Sequence, residues 1–139
     1  MIADMAVFDT ATSSWYIRTV AGATIVSGFP WGFAGVIPVS GDYDGDGIFD
    51  PAVFDPLTGD WYIRSLVAVP DTISGGIPWG FVGLIPVPGD FDGDVKCDLA
   101  LYDRATGNWY IRTIAPGPAI AFGLNWGGPE FLPVYPLGA

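Results

Sequence analysis

Residues 41–65 read GDYDGDGIFDPAVFDPLTGDWYIRS. This stretch joins an aspartate-rich loop to two short apolar segments, AVFD and WYIR, with the turn PLTGD between them. Short segments rich in β-branched and aromatic residues that flank a turn are typical of a β-hairpin. The glycine of the turn suits a left-handed backbone conformation. The stretch therefore predicts a hairpin that directly follows an acidic loop.

The same hairpin pattern occurs three times along the chain, which indicates a repeat architecture. WYIRT at 15–19 returns as WYIRS at 61–65 and as WYIRT at 109–113, at spacings of 46 and 48 residues. The segments MAVFD, PAVFD and LALYD precede these strands in the same order. No window of useful length shows helical periodicity. We therefore predict an all-β chain in which each unit has four short strands.

A second repeated segment gives the first strand of each unit and the unit boundaries. PWGFAGVIPVSGD at 30–42 returns as PWGFVGLIPVPGD at 78–90 and, in altered form, as NWGGPEFLPVYPL at 125–137. We read the 139 residues as a single repeat domain. Its predicted units are approximately 1–40, 41–88 and 89–136.

The predicted repeat is permuted within the aspartate loop. Met1 aligns with Gly47, and Gly138 aligns with Tyr43 of the same loop. The first unit then contains only its second to fourth strands, while FLPVYP at 131–136 supplies a first strand. We expect a ring in which this last strand completes the first sheet.

Composition excludes several classes of partner. The chain is 50% hydrophobic and 15% aromatic, enough for a buried core, and its net charge is −10. Because it has only five basic residues, we expect no nucleic-acid partner. Glycine and proline interrupt every apolar run, so we expect no membrane span. With one cysteine and no histidine, the chain lacks an internal disulfide and the commonest zinc ligand.

The aspartates have a spacing that suits calcium. Calcium takes six to eight oxygen ligands, and a loop of the form D-x-D-x-D-G-x-x-D can wrap one ion. The alternative is a loop held only by aspartate side chains that accept backbone N–H groups. The predicted ligands are Asp42, Asp44, Asp46, Asp50 and the carbonyl of Ile48 in one loop, and Asp90, Asp92, Asp94, Asp98 and the carbonyl of Lys96 in the other.

The second loop departs from the first at one glycine. Val95 stands where the first loop has Gly47, and a β-branched residue disfavours positive φ. Lys96 also brings a positive charge close to the ligands. The first unit retains only Asp4 of the motif, so we expect no third site of this type.

The ordered series of aspartate loop, AVFD strand, TG turn and WY strand resembles FG-GAP repeats, also called VCBS-type repeats. The same loop type occurs in the propeller of integrin α subunits. The resemblance covers nearly the whole chain. It implies that each unit is a four-stranded β-propeller blade and that the aspartate loop binds calcium between the first two strands. It also implies an extracellular or cell-surface role in adhesion, carbohydrate contact or scaffolding.

Three blades are too few to close a propeller, since known rings use about four to eight. An open half-propeller would leave apolar blade faces and unpaired strand edges in water. We therefore expect association with itself as a homodimer with six blades. The alternatives are an excised or engineered fragment of a longer propeller, and a single-chain β-trefoil or β-prism.

Repeated tryptophans and arginines are the candidate ligand contacts. The candidates are Trp31, Trp79, Trp126, Arg18, Arg64 and Arg112. Exposed tryptophans stack on sugar rings, which would suit a carbohydrate-binding lectin with sites between blades. The alternative favoured by their repetition is packing between blades for the tryptophans, and pairing with carboxylates or aromatic rings for the arginines.

The sequence favours a non-enzymatic binding, adhesion or structural module over an enzyme. A pair of carboxylates could serve a glycosidase, but the clustered aspartates are better explained as metal ligands and no isolated pair stands out. Cys97 aligns with the apolar Phe49, and no histidine is present to activate its thiol. A glycan or an extracellular protein is the expected ligand.

Overall fold

A computed structural model describes residues 4–67 and 72–134, and in these residues it contains strands and turns but no helix. The expected all-β class is confirmed. Within the same residues, no helix is long and apolar enough to cross a membrane. Of the alignment that predicts a permuted repeat, Met1, Gly138 and Ala139 lie outside the described residues.

The described residues contain eleven strands, which form three separate antiparallel sheets of consecutive strands. The first sheet contains β1 (Met5–Asp9), β2 (Ser14–Arg18) and β3 (Thr24–Pro30). The second sheet contains β4 (Ile37–Pro38), β5 (Ala52–Asp55), β6 (Asp60–Arg64) and β7 (Thr72–Pro78). The third sheet contains β8 (Ile85–Pro86), β9 (Leu99–Asp103), β10 (Asn108–Arg112) and β11 (Ala121–Asn125).

Within the described residues, the second and third sheets have the four strands predicted for a unit, and the first sheet has three, as expected for a first unit that contains only its second to fourth strands. The predicted completing segment has no strand in its described part, residues 131–134, and residues 135–136 lie outside the described residues. Within the described chain, none of the sheets closes on itself.

The WYIR and AVFD segments form strands for different reasons. In β6, Trp61 and Ile63 are buried while Tyr62 and Arg64 are half-buried, as expected for a strand whose two faces differ. All of β5 is buried, because it lies inside the sheet and contacts neighbouring sheets on both faces. A register irregularity follows the tryptophan of each WYIR strand, at Trp15, Trp61 and Trp109. The three sheets therefore share this irregularity at the same position of the repeat.

The hydrophobic core lies between successive sheets. One cluster joins Phe54 and Trp61 of the second sheet to Leu99 and Leu101 of the third. Another joins Trp15 of the first sheet to Val53 of the second. Side chains on facing sheets therefore bury one another in both clusters.

The hairpin turn of the second sheet requires glycine. Gly59 has φ +81°, and a Cβ built there would overlap the backbone of Gly80. The main-chain N–H of Trp79 donates to the Gly59 carbonyl at 2.9 Å, which holds the two segments together. In the first sheet the equivalent residue is Ser13, also at positive φ (57°). The first hairpin thus accepts a side chain where the second has no room for one.

We expect Gly59→Ala to lower the free energy of unfolding by ~3 kcal/mol, because it combines a backbone clash with left-handed strain. Ser13→Gly is the matched control and should be neutral or stabilising by up to ~1 kcal/mol. Urea unfolding measures both variants. A loss below ~1 kcal/mol for Gly59→Ala would contradict the close backbone approach.

Candidate metal centre

Each aspartate loop connects the first two strands of a sheet and is closed at its base by an isolated β-bridge. In the loop between β4 and β5, the Asp50 N–H donates to the Gly41 carbonyl at 2.7 Å. In the loop between β8 and β9, the Asp98 N–H donates to the Gly89 carbonyl at 2.6 Å. The loops therefore occupy the position that the sequence resemblance implies.

Aspartate side chains fold the first loop around themselves. The Asp42 carboxylate accepts N–H groups from Gly45 at 2.7 Å and from Gly47 at 2.8 Å. Asp44 accepts the Asp46 N–H at 3.1 Å, and Asp46 accepts the Ile48 N–H at 2.8 Å. These are Asx turns, so the alternative envisaged from the sequence describes part of the loop correctly.

The second loop repeats this geometry in spite of its valine. Asp90 accepts N–H groups from Gly93 at 2.7 Å and from Val95 at 3.0 Å. Val95 adopts φ 66°, the left-handed conformation that Gly47 adopts without steric cost. A β-branched residue held there stores strain of about 1 kcal/mol or more, which the surrounding hydrogen bonds must offset.

Three carboxylates of each loop converge. Asp42, Asp44 and Asp50 each place one oxygen within 4.8 Å of the others. The second group is the equivalent set of Asp90, Asp92 and Asp98. Of the predicted ligands, Asp46 and Asp94 contribute no atom to these groups. The carbonyls of Ile48 and Lys96 remain predicted ligands.

Asp50 is the buried member of the first group, with 1% of its surface exposed. Its Oδ2 accepts the Tyr43 N–H at 2.8 Å, while its Oδ1 is buried without a hydrogen-bond partner. Burial raises the pKa of Asp50 to about 7, and the charges of Asp44, Asp46 and Asp42 add to this effect. A buried carboxylate oxygen without a partner is costly unless a proton or a cation satisfies it.

Asp98 occupies the equivalent position in the second group. It is also almost fully buried, and its Oδ2 accepts the Phe91 N–H at 2.8 Å. Burial raises the pKa of Asp98 to about 6, again with a contribution from neighbouring aspartates. Both loops thus concentrate negative charge around one buried carboxylate.

The donor set fits a hard divalent cation. All the converging atoms are carboxylate oxygens, the ligands preferred by calcium and magnesium rather than by zinc or copper. The nearby Cys97 is not one of the converging groups, and burial raises the pKa of its thiol to about 12.

The two loops contact each other, a feature that sequence spacing did not reveal. The Cys97 N–H donates to the Asp42 carbonyl at 2.6 Å. A Cβ at Gly45 would lie 3.2 Å from Cγ of Lys96, so the lysine stem passes over the first loop. Cys97 also packs against the core cluster that contains Tyr43. The only feature of the sequence that indicated a buried position for Cys97 was its alignment with the apolar residue Phe49.

The predicted ligand-contact tryptophans have two different environments. Trp31 donates its indole N–H to the Tyr62 carbonyl at 3.1 Å, and Trp79 donates to the Tyr110 carbonyl at 3.3 Å. Both indoles therefore pack between adjacent sheets. Trp126, the third of the series, is 82% exposed.

The predicted ligand-contact arginines also have two different environments. The Arg64 guanidinium lies over the ring of Phe29 at 4.8 Å, and Arg112 lies over Trp79 at 5.6 Å. Arg18, the equivalent residue of the first sheet, is exposed. Arg64 and Arg112 thus contact the aromatic residues that join one sheet to the next.

A cleft of about 280 Å³ opens between the first and second sheets. It lies beside Ser13, the residue of the first hairpin that corresponds to Gly59 of the second. Phe33 and Tyr62 meet edge to face there, with ring centroids 5.5 Å apart. The lining residues are Thr12, Ser13, Pro30, Trp31, Gly32, Phe33, Val53 and Tyr62.

Comparison with protein-family models, curated proteins and solved structures finds no match to this chain.

Proposed function

We propose that this chain is a calcium-binding module of the β-propeller type, with FG-GAP-like loops and a non-enzymatic binding, adhesion or structural role outside the cell. The observation that carries the proposal is Asp50, whose Oδ1 is buried without a partner in a residue that converges with two further carboxylates. A calcium ion there would satisfy this oxygen and remove the repulsion between the carboxylates.

The role of the ion would be structural. The carboxylates of Asp42 and Asp44 hold the loop by accepting backbone N–H groups from it. Asp50 accepts the Tyr43 N–H and so anchors the loop to the buried start of β5. Calcium would supply a positive charge that joins these two parts. Each loop also contacts the other, so binding at one site would stiffen its neighbour.

A catalytic role receives less support than a structural one. The same carboxylate arrangement occurs in two loops, and its members already accept backbone N–H groups. A general acid or base must instead reach a substrate proton at about 2.6–3.2 Å. Repetition with little variation is typical of an architectural element.

Calorimetric titration of the chelator-treated protein with calcium tests the proposal. We expect about two ions per chain, one for each loop. Asp50→Asn removes one carboxylate charge with little change of shape and should weaken the first site by ~100-fold. Asp98→Asn should do the same at the second site.

Asp60→Asn is the matched control for this titration, because Asp60 lies in β6, outside both loops. It should leave both sites unchanged. Absence of a binding heat, together with no calcium retained after dialysis, would reject the metal centre. Equal binding by wild type and Asp50→Asn would reject the ligand assignment.

Carbohydrate binding is a second candidate, and the inter-sheet cleft favours it. The cleft combines aromatic rings of Trp31, Phe33 and Tyr62 with the hydroxyl-bearing residues Thr12 and Ser13, a combination suited to a sugar. A glycan array tests this candidate. Binding that is lost in Phe33→Ala, a change at an exposed ring, would support it, and absence of any binding would reject it.

A further inference from the structure

The chain contains two joints between sheets that are built in the same way. In each joint, a tryptophan that follows the last strand of one sheet donates its indole N–H to the carbonyl of the tyrosine in the WYIR strand of the next sheet. The pairs are Trp31 with Tyr62 and Trp79 with Tyr110. An arginine of the next sheet lies over the same tryptophan, Arg64 over Trp31 and Arg112 over Trp79.

In the part of the chain that the structure describes, the third sheet has the donor half of such a joint without a receiver. Trp126 follows β11 as Trp79 follows β7, yet it is 82% exposed. Phe131 is 63% exposed, whereas Val36 and Leu84 at the equivalent positions are buried. These side chains form a donor face made of Trp126 and residues 131–134.

Among residues 4–67 and 72–134, the first sheet has the receiving half of a joint without a donor. Val7 is 65% exposed, whereas Val53 and Leu101 at the equivalent positions are completely buried. Met5 is also exposed, although Leu99 at its equivalent position is completely buried. Tyr16, the counterpart of Tyr62, is exposed as well. We call β1 and Tyr16 the receiving face.

The strand pairing is incomplete at the same two places. In the second sheet, Ile37 pairs with Phe54 and Pro38 pairs with Val53. The third sheet repeats this pairing between β8 and β9. In the first sheet, β1 has only β2 as a neighbour, so one of its edges is free in the described chain. Leu132 and Pro133 are the sequence counterparts of Ile37 and Pro38.

We propose that the donor face of one copy docks on the receiving face of a second copy and reproduces the internal joint. Residues 131–134 of one copy pair with β1 of the other, with Leu132 opposite Phe8 and Pro133 opposite Val7. The indole N–H of Trp126 donates to the main-chain carbonyl of Tyr16 in the other copy. This inference does not depend on calcium.

A second copy fits better than an unrelated partner because the joint is specified by residues on both sides. Each copy carries one donor face and one receiving face, which is the arrangement of a head-to-tail contact. Two copies bring six sheets together, within the range of about four to eight found in closed propellers. Both faces of both copies are then covered, and no free β1 edge remains to promote aggregation.

Sedimentation velocity of the intact chain tests the docking. We expect a dimer at protein concentrations of ~1–100 µM. Val7→Asp would place an unpaired charge in the joint and should weaken the dimer by ~100-fold or more. Because Val7 is exposed in the single chain, the variant should still fold, and circular dichroism checks this.

Leu57→Asp is the matched control, since Leu57 lies in a hairpin turn that is exposed in all three units. This variant should remain a dimer. Trp126→Ala should weaken the dimer as Val7→Asp does. An equimolar mixture of Val7→Asp and Trp126→Ala should regain dimers, because one joint between unlike copies contains neither change.

Three results would overturn the proposal. The first is a monomer at every concentration, which would indicate that the two faces bind another repeat of the same kind rather than a second copy. The second is a dimer that survives both Val7→Asp and Trp126→Ala. The third is assembly beyond the dimer, which would show that the head-to-tail contact does not close.

Discussion

Removal of both calcium ions is expected to lower the melting temperature by ~15–20 °C when the calcium-loaded reference contains the ion at ~100 times its dissociation constant. At that ratio, each bound ion stabilises the folded state by ~2.7 kcal/mol. The carboxylates of each loop repel one another without the ion, and Asp50 keeps a buried oxygen without a partner. Differential scanning calorimetry with calcium or with a chelator measures the shift.

The chelated protein should also show a distinctive pH dependence. Burial raises the pKa of Asp50 to about 7 and of Asp98 to about 6, above the ordinary value of 3.8. Between the ordinary and the raised pKa values the folded chain binds more protons than the unfolded chain, so stability falls as pH rises. Without calcium, the melting temperature should therefore decrease from about pH 4 to about pH 7.

Calcium should reverse this trend, because the ion binds the ionised carboxylates and protons compete with it. Asp50→Asn removes the group with the larger pKa shift, so it should flatten the pH dependence of the chelated protein. Magnesium at the same concentration is the control ion and should stabilise less than calcium. Identical pH profiles with and without calcium would contradict the assignment of these carboxylates as ligands.

Trp79→Ala is expected to lower the free energy of unfolding by ~3 kcal/mol, whereas Trp126→Ala should change it by less than ~0.5 kcal/mol. Trp79 packs on the core cluster, donates to Tyr110 and lies under Arg112, so its removal leaves a cavity and an unfilled joint. Trp126 occupies the equivalent sequence position but is exposed in the single chain.

Urea unfolding should compare the two tryptophan variants in the Val7→Asp background, where docking between copies does not contribute to stability. The comparison then isolates the joint inside the chain from the joint between chains. A large loss for Trp126→Ala in this background would show that Trp126 already packs within its own chain. A negligible loss for Trp79→Ala would contradict the description of the internal joint.

The AVFD and WYIR strands and their order could be predicted from the sequence because the repeat supplies the same signal three times. AVFD and WYIR have strand-forming residues, and the turns between them place glycine at positive φ in Gly59 and Gly107. The aspartate spacing likewise predicted a loop whose carboxylates converge. Local residue types determine these features, so they can be read without knowledge of the packing.

Features that depend on packing between units could not be predicted. From spacing alone, Asp46 and Asp50 are both predicted ligands. The structure distinguishes them, because Asp50 is buried just before β5 and converges with two other carboxylates, whereas Asp46 does not. The hydrogen bond from Cys97 to Asp42 joins two loops that are one whole repeat apart, and no local pattern encodes it. The different exposure of Trp79 and Trp126 similarly arises from whether a following sheet is present.

A native mass spectrum from a calcium-containing volatile buffer is the most direct test of the claim that the aspartate loops hold calcium. We predict about two calcium ions per chain, each lost separately in Asp50→Asn and in Asp98→Asn. Wild-type chains that carry no calcium would contradict the claim that the aspartate loops hold calcium. So would chains that carry both Asp50→Asn and Asp98→Asn and still keep two ions.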